Sequence, residues 1–117
     1  MKQIQLTINK RKLDCHFGLG FLGEVLDELN MSLEDLSHRL TNNPFKYVPK
    51  LVYYSSVYGL ERKGQVADYS YHDVLDWIDE DGGFANPNLT KFLEAFTKSL
   101  TKNVPKQDEV KKDTKKK

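Results

Sequence analysis

Residues 17–29 constrain the fold more than any other stretch, because they combine glycines with a regular apolar stripe. The stripe recurs at helical spacing and consists of Leu19, Leu22, Val25, Leu26 and Leu29. Each glycine inside a helix costs about 1 kcal/mol relative to alanine. We therefore expect Gly18, Gly20 and Gly23 to let this helix approach a neighbouring element closely.

The segments before this helix alternate apolar and polar residues, as strands with one buried face do. The apolar positions are Ile4, Leu6 and Ile8 in the first segment and Leu13, Cys15 and Phe17 in the second. The polar stretch 9–12 between them is turn-prone, which predicts a β-hairpin. A hairpin alone is only marginally stable, so we expect helix 17–29 to cover it.

Further helices are predicted where a capping residue or a proline comes just before apolar residues at helical spacing. Ser32 stands three residues before Asp35, the spacing of a capping box, and Ser70 marks another helix start. Pro44 and Pro49 both suit the first turn of a helix, and the helix from Pro49 is expected to run to about residue 62. Another helix is expected to begin at Pro87. We expect the acidic end of the helix that begins at Ser70 to fray, because carboxylates sit poorly at a helix C-terminus.

The expected fold class is α+β and mainly α, with an N-terminal β-hairpin packed on four to five short helices. Residues 1–101 are expected to form a single globular domain. The apolar pattern is lost after Leu100, so residues 102–117 are predicted to be a disordered lysine-rich tail.

Charge is unevenly distributed along the chain. The tail holds seven lysines and three acidic residues, a balance of +4, which leaves −3 for residues 1–101 of the overall formal charge of +1. A mildly acidic body argues against a surface built for nucleic acid. The lone cysteine permits no intrachain disulfide, and no stretch approaches the roughly 18 apolar residues of a membrane span. We expect a cytosolic protein with no membrane partner.

The sequence contains no set of residues that predicts catalysis, a cofactor or a metal. Residues 18–23 match G-x-G-x-x-G, but a hairpin precedes them and no strand is predicted after the helix, so a dinucleotide site is not expected. Cys15 and His16 are neighbours on a strand and point to opposite faces, so they cannot pair as nucleophile and base. In the stretch 76–88, aligning Gly82 with the invariant glycine of a calcium loop puts Trp77 and Asn88 at the two end positions, where carboxylates are required, so a calcium site is not expected.

An aromatic-rich middle is the best candidate for a binding surface. It comprises Tyr47, Tyr53, Tyr54, Tyr58, Tyr69, Tyr71 and Trp77. Such residues fill a core most often, and they also form protein contacts. The lysines and arginines nearby leave single-stranded nucleic acid as a third possibility.

Several segments, in a fixed order, carry a resemblance to a known family. They are the hairpin, residues 17–22, the Lys-Leu-Val-Tyr-Tyr-Ser-Ser segment at 50–56, residues 73–79 and residues 92–96. Between residues 2 and about 106, their order and spacing resemble the tail assembly chaperones of siphophages that infect Gram-positive bacteria.

The resemblance implies a non-enzymatic role in viral tail morphogenesis, in the host cell cytoplasm and outside the mature virion. Family members bind the tape measure protein, keep it soluble, and are displaced by the tail tube protein. Many are made in two lengths by a programmed ribosomal frameshift, and the longer form is thought to recruit the tail tube protein. The A-rich codons of Lys115, Lys116 and Lys117 suggest a slippery site there.

A chaperone for a helical partner needs an apolar groove with a polar rim. We expect that groove between the tyrosine-rich helix and the last helix. The candidate partner-binding residues are Tyr47, Tyr53, Tyr54, Tyr58, Phe92 and Phe96. The alternative function is a small nucleic-acid-binding regulatory protein, in which residues 32–40 and 49–62 would form a helix-turn-helix.

Overall fold

The computed structural model describes residues 3–103, with side-chain surroundings for residues 3–100. Its elements are β1 (Gln3–Ile8), β2 (Arg11–His16), α1 (Leu19–Leu29), α2 (Leu33–Asn42), α3 (Pro44–Arg62), α4 (Tyr71–Glu80), a 3₁₀ turn (Gly83–Ala85) and α5 (Pro87–Asn103). The predicted fold class is confirmed, since an antiparallel hairpin precedes five α-helices over this range. From residue 104 onward, the predicted disordered tail lies outside the described residues. None of the described helices is long and apolar enough to cross a membrane.

The hairpin turn is held by the end of α4. Asn9 and Lys10 form a two-residue turn with φ of 50° and 67°, the positive values of a type I′ turn. The Asn9 backbone N–H donates to an Asp81 carboxylate oxygen at 2.7 Å, and its side-chain amide donates to Glu80 at 2.8 Å. We expected the acidic end of α4 to fray. Instead, the helix continues to Glu80, and both Glu80 and the C-cap residue Asp81 bind the turn.

Close packing on the hairpin is made by α3 rather than by α1. A Cβ at Gly59 would fall well inside van der Waals distance of the Asp14 backbone carbonyl on β2. In α1, a Cβ at Gly20 would collide with the Tyr58 hydroxyl, whereas a Cβ at Gly23 would meet nothing within 4 Å. The expectation that the α1 glycines seat that helix on the hairpin is therefore wrong for Gly20 and Gly23. The glycine that does this is in α3.

The third helix begins five residues earlier than predicted, at Pro44 instead of Pro49. Pro44 occupies the first turn, where its missing N–H would have no intrahelical partner. Pro49 lies inside the helix and cannot bond the carbonyl of Phe45, which is on an exposed turn. Burial of Tyr47 and Val48 against the core offsets this lost bond.

The predicted apolar stripe of α1 faces the core except at its first residue. Leu22 and Val25 are buried, and Leu26 and Leu29 pack against the core, whereas Leu19 is 69% exposed. Phe21, which was not part of the predicted stripe, is 1% exposed, and its ring lies 5.9 Å from Phe17 and 6.4 Å from Phe96 between centroids. A phenylalanine ring in such a cluster gains more from burial than a terminal leucine.

The capping box predicted at Ser32 is present, and the helix start predicted at Ser70 is a capping box as well. The Asp35 backbone N–H donates to the Ser32 hydroxyl at 3.1 Å, and that of Asp73 donates to the Ser70 hydroxyl at 3.2 Å. Each aspartate side chain accepts from the serine backbone N–H in return. These local bonds fix where α2 and α4 begin, independently of tertiary packing.

Two glycine-to-alanine substitutions test this arrangement. We expect Gly59→Ala to lower the free energy of unfolding by about 1–3 kcal/mol, because the new methyl group forces α3 away from β2. We expect Gly23→Ala to raise it by roughly 0.5–1 kcal/mol, because this exposed helical site has room for a methyl group. Urea unfolding monitored by circular dichroism measures both. Equal stability of the two variants would contradict the close approach at Gly59.

Candidate functional site

A groove between α1 and α3 is the best candidate site. We call it the α1–α3 groove, and its volume is about 370 Å³. It is lined by Phe21, Glu24, Val25 and Glu28 from α1 and by Tyr53, Tyr54, Val57, Tyr58 and Glu61 from α3. Its position follows from the packing just described, because α3 is set on the hairpin and α1 lies beside it.

The floor of the groove is apolar and firmly held. Phe21 and Val25 are each 1% exposed and form its base. Tyr54, Val57 and Tyr58 are half-buried along the α3 side. The rings of Phe21 and Tyr58 lie 6.1 Å apart between centroids, which ties the two helices together at one end of the groove.

The rim of the groove is acidic. Glu24 and Glu28 are exposed and four residues apart on α1, so they lie on the same helix face, about 6 Å apart along the axis. Glu61 is exposed on the α3 side. The lining contains no lysine, arginine or histidine, and none of these glutamates forms an ion pair within the described part of the chain. The lining therefore carries three negative charges and no positive charge.

The tyrosine hydroxyl at the rim stays protonated. Burial raises the pKa of Tyr54, and the negative charge of Glu28 raises it further. At neutral pH, Tyr54 is accordingly a neutral hydrogen-bond donor and acceptor on the α3 side of the groove.

Other aromatic side chains hold Tyr53 in place. Its ring contacts those of Tyr54, Tyr69 and Tyr71, with centroid separations of 5.4, 6.2 and 6.2 Å. The Tyr69 hydroxyl donates to the Ser56 hydroxyl at 2.7 Å, and burial raises the pKa of Tyr69. The α3 wall is thus preorganised, because the side chains behind it already have partners.

The predicted site residues fall into two groups. Tyr53, Tyr54 and Tyr58 come together in the α1–α3 groove. Tyr47 is 6% exposed, and its hydroxyl accepts a hydrogen bond from Arg39 at 3.3 Å, outside that groove. The remaining two rings, Phe92 and Phe96, are 0% and 1% exposed and pack against Phe17 in the core.

The groove is therefore bounded by α1, whereas we had expected it beside the last helix. The reason is that α5 turns its aromatic face into the core. Sequence reasoning missed Glu24, Glu28 and Glu61 because charged residues on a helix usually just face solvent. The available signal was the four-residue spacing of Glu24 and Glu28 around buried Val25.

A larger depression of about 650 Å³ lies between β2 and the segment that follows α3. Its lining mixes Arg11, Lys12 and Lys63 with Asp14 and Asp68. Lys63 and Asp14 pair at 2.7 Å, and this hydrogen bond lowers the pKa of Asp14. Since its charges largely compensate one another, this depression shows no preference for a charged partner.

Cys15 and His16, which are neighbours in the sequence, lie on opposite faces of β2. Cys15 is fully buried, and its thiol donates to the Leu13 carbonyl at 3.9 Å. His16 is on the opposite face of β2, where its ring lies 5.3 Å from that of Tyr58. The described residues contain no group of three or more His, Cys, Asp or Glu side chains that could hold a metal ion.

The two helices of the alternative nucleic-acid hypothesis correspond to α2 and α3, and their connection is shorter than the turn of a helix-turn-helix. Only Asn43 separates α2 from α3, whereas that motif joins its helices by a turn of about three or four residues.

No family model, curated protein or solved structure matches this chain.

The environment of Cys15 leads to a chemical prediction. Burial raises the pKa of the Cys15 thiol to about 12, so near pH 8 only about one thiol in ten thousand is ionised. We expect the folded protein to resist alkylation by iodoacetamide at that pH. The urea-unfolded protein, whose thiol is exposed, should be modified at the rate of a free cysteine. Rapid modification of the folded protein, followed by mass spectrometry, would contradict this burial.

Proposed function

We propose that this protein is a siphophage tail assembly chaperone that binds the tape measure protein and keeps it soluble. The α1–α3 groove is the observation that supports this proposal. It combines the half-buried side chains of Tyr54, Val57 and Tyr58, which lie beside the buried Phe21 and Val25, with a rim of charged and hydroxyl groups. Grooves of this kind bind one face of an amphipathic helix, with apolar anchors inward and polar residues at the edges.

The groove suits a holding role rather than a chemical one. Its side chains offer apolar surface, carboxylates and tyrosine hydroxyls. Many copies bound along one long helical partner would hold it through avidity even if each contact is weak. Weak individual contacts also allow displacement, which the proposed exchange with the tail tube protein requires.

The wider assignments belong to the same proposal. We propose that the protein acts without enzymatic activity in the host cell cytoplasm and is absent from the mature virion. A longer form, made by programmed frameshifting, would contact the tail tube protein. Nucleotide sequence tests this last point, because a frameshift requires a slippery heptamer near codons 111–117 and an overlapping downstream frame.

Co-expression tests the chaperone role. A helical fragment of the cognate tape measure protein should be insoluble alone and soluble with the full chain present. We expect the double variant Tyr54→Ala/Val57→Ala to weaken binding by about tenfold or more and to return the fragment to the pellet, because it removes apolar contact area from the groove. The measurement is the soluble fraction of the fragment, together with the affinity of the purified proteins.

Phe45→Ala is the matched control. It removes an aromatic side chain from the same helix, but Phe45 is 73% exposed and lies outside the groove lining. We expect this variant to keep the fragment soluble. Thermal unfolding of each variant separates loss of binding from loss of folding. Failure of the unmodified chain to solubilise the fragment would reject the proposed function.

A further inference from the structure

We propose that the α1–α3 groove selects a cationic amphipathic helix, one whose apolar stripe is flanked by lysine or arginine on both sides. This inference rests on the proposed function, since it specifies the chemistry of the partner segment that the same groove binds. The bound segment is a helix of another protein, and the groove recognises it by the positive charges beside its apolar stripe.

The negative charges stand on both sides of the apolar floor. Glu24 and Glu28 project from α1, and Glu61 projects from α3. All three are exposed, and none forms an ion pair within the part of the chain that the structure describes. Carboxylates held near one another without counter-charges favour a ligand that brings positive charge to both edges.

These carboxylates are spread along the length of the groove. Glu61 lies about one helical turn beyond Tyr58, whose ring contacts Phe21 at one end of the groove. Glu28 lies at the other end, close enough to Tyr54 for its charge to act on that hydroxyl. A helix lying lengthwise over Phe21 and Val25 would therefore meet carboxylates along its course.

The same charges exclude other classes of partner. Nucleic acid binds through phosphates that need lysine or arginine, and this lining contains neither. An acidic helix with an identical apolar stripe would place like charges together at each edge. Apolar contact supplies the affinity of the groove, and its acidic rim supplies the selection.

Two labelled synthetic helices test this selection. They share one leucine stripe, and the positions that flank it are lysine in one peptide and glutamate in the other. We expect the full chain to bind the lysine peptide at least about tenfold more tightly at low salt. That preference should shrink as NaCl rises from about 0.05 to about 0.5 M, because salt screens exposed charges. Fluorescence anisotropy measures each affinity.

Substitutions at the rim provide the decisive comparison. Glu24→Gln, Glu28→Gln and Glu61→Gln should each weaken lysine-peptide binding by at most about fivefold, and the triple variant should abolish most of the preference. Glu24→Lys combined with Glu28→Lys should shift the preference toward the glutamate peptide. The matched control is Asp76→Lys, an exposed acidic residue of α4 outside the groove lining, which should leave the preference unchanged.

The outcomes separate this inference from the proposed function. Equal binding of both peptides, binding of neither, or an unchanged preference in the triple variant would overturn the inference. If the unmodified chain keeps the tape measure fragment soluble but binds both peptides equally, the selection is wrong and the chaperone role stands. If the peptides behave as expected while the fragment stays insoluble, the charge selection stands and the chaperone role fails.

Discussion

The close contact between α3 and the hairpin is the constraint on which the rest of the structure depends. Gly59 permits it, because any side chain there would strike the Asp14 carbonyl. The buried residues of α3 form one side of the core on β2. On the other side, Phe17 packs against Phe21 of α1 and Phe92 of α5. The hairpin thus becomes a platform for helices rather than a separate element.

The α1–α3 groove is a consequence of this packing. The two helices are in contact at Phe21 and Tyr58. Elsewhere between them, no core side chain fills the space, and this space is the groove. Its floor needs no partner for stability, since Phe21 and Val25 are already buried. Its rim carries three glutamates that form no ion pair with any described residue. In the proposed role, these charges supply the selection of a partner, and the half-buried side chains of α3 supply apolar contact.

Prediction from the sequence succeeded where the decisive interactions are local. The capping boxes at Ser32 and Ser70 join residues three apart, so they can be recognised without knowing the fold. It failed at Pro49, because burial of the surrounding helix outweighs a local proline penalty. For the candidate site, the tyrosines of α3 were found from composition. Their partners on α1 were missed, because a long-range contact decides which face of α1 meets α3.

By itself, the sequence predicted the hairpin, four to five helices and several of their ends, because these follow from alternation, periodicity and capping. Only the tertiary structure decided which surface is open. Phe92 and Phe96 have the same chemical character as the groove tyrosines, yet they are enclosed in the core. Residues 17–29, which constrained the fold first, also form one side of the groove. Periodicity predicts that a helix has two faces, but the packing of other elements determines what each face meets.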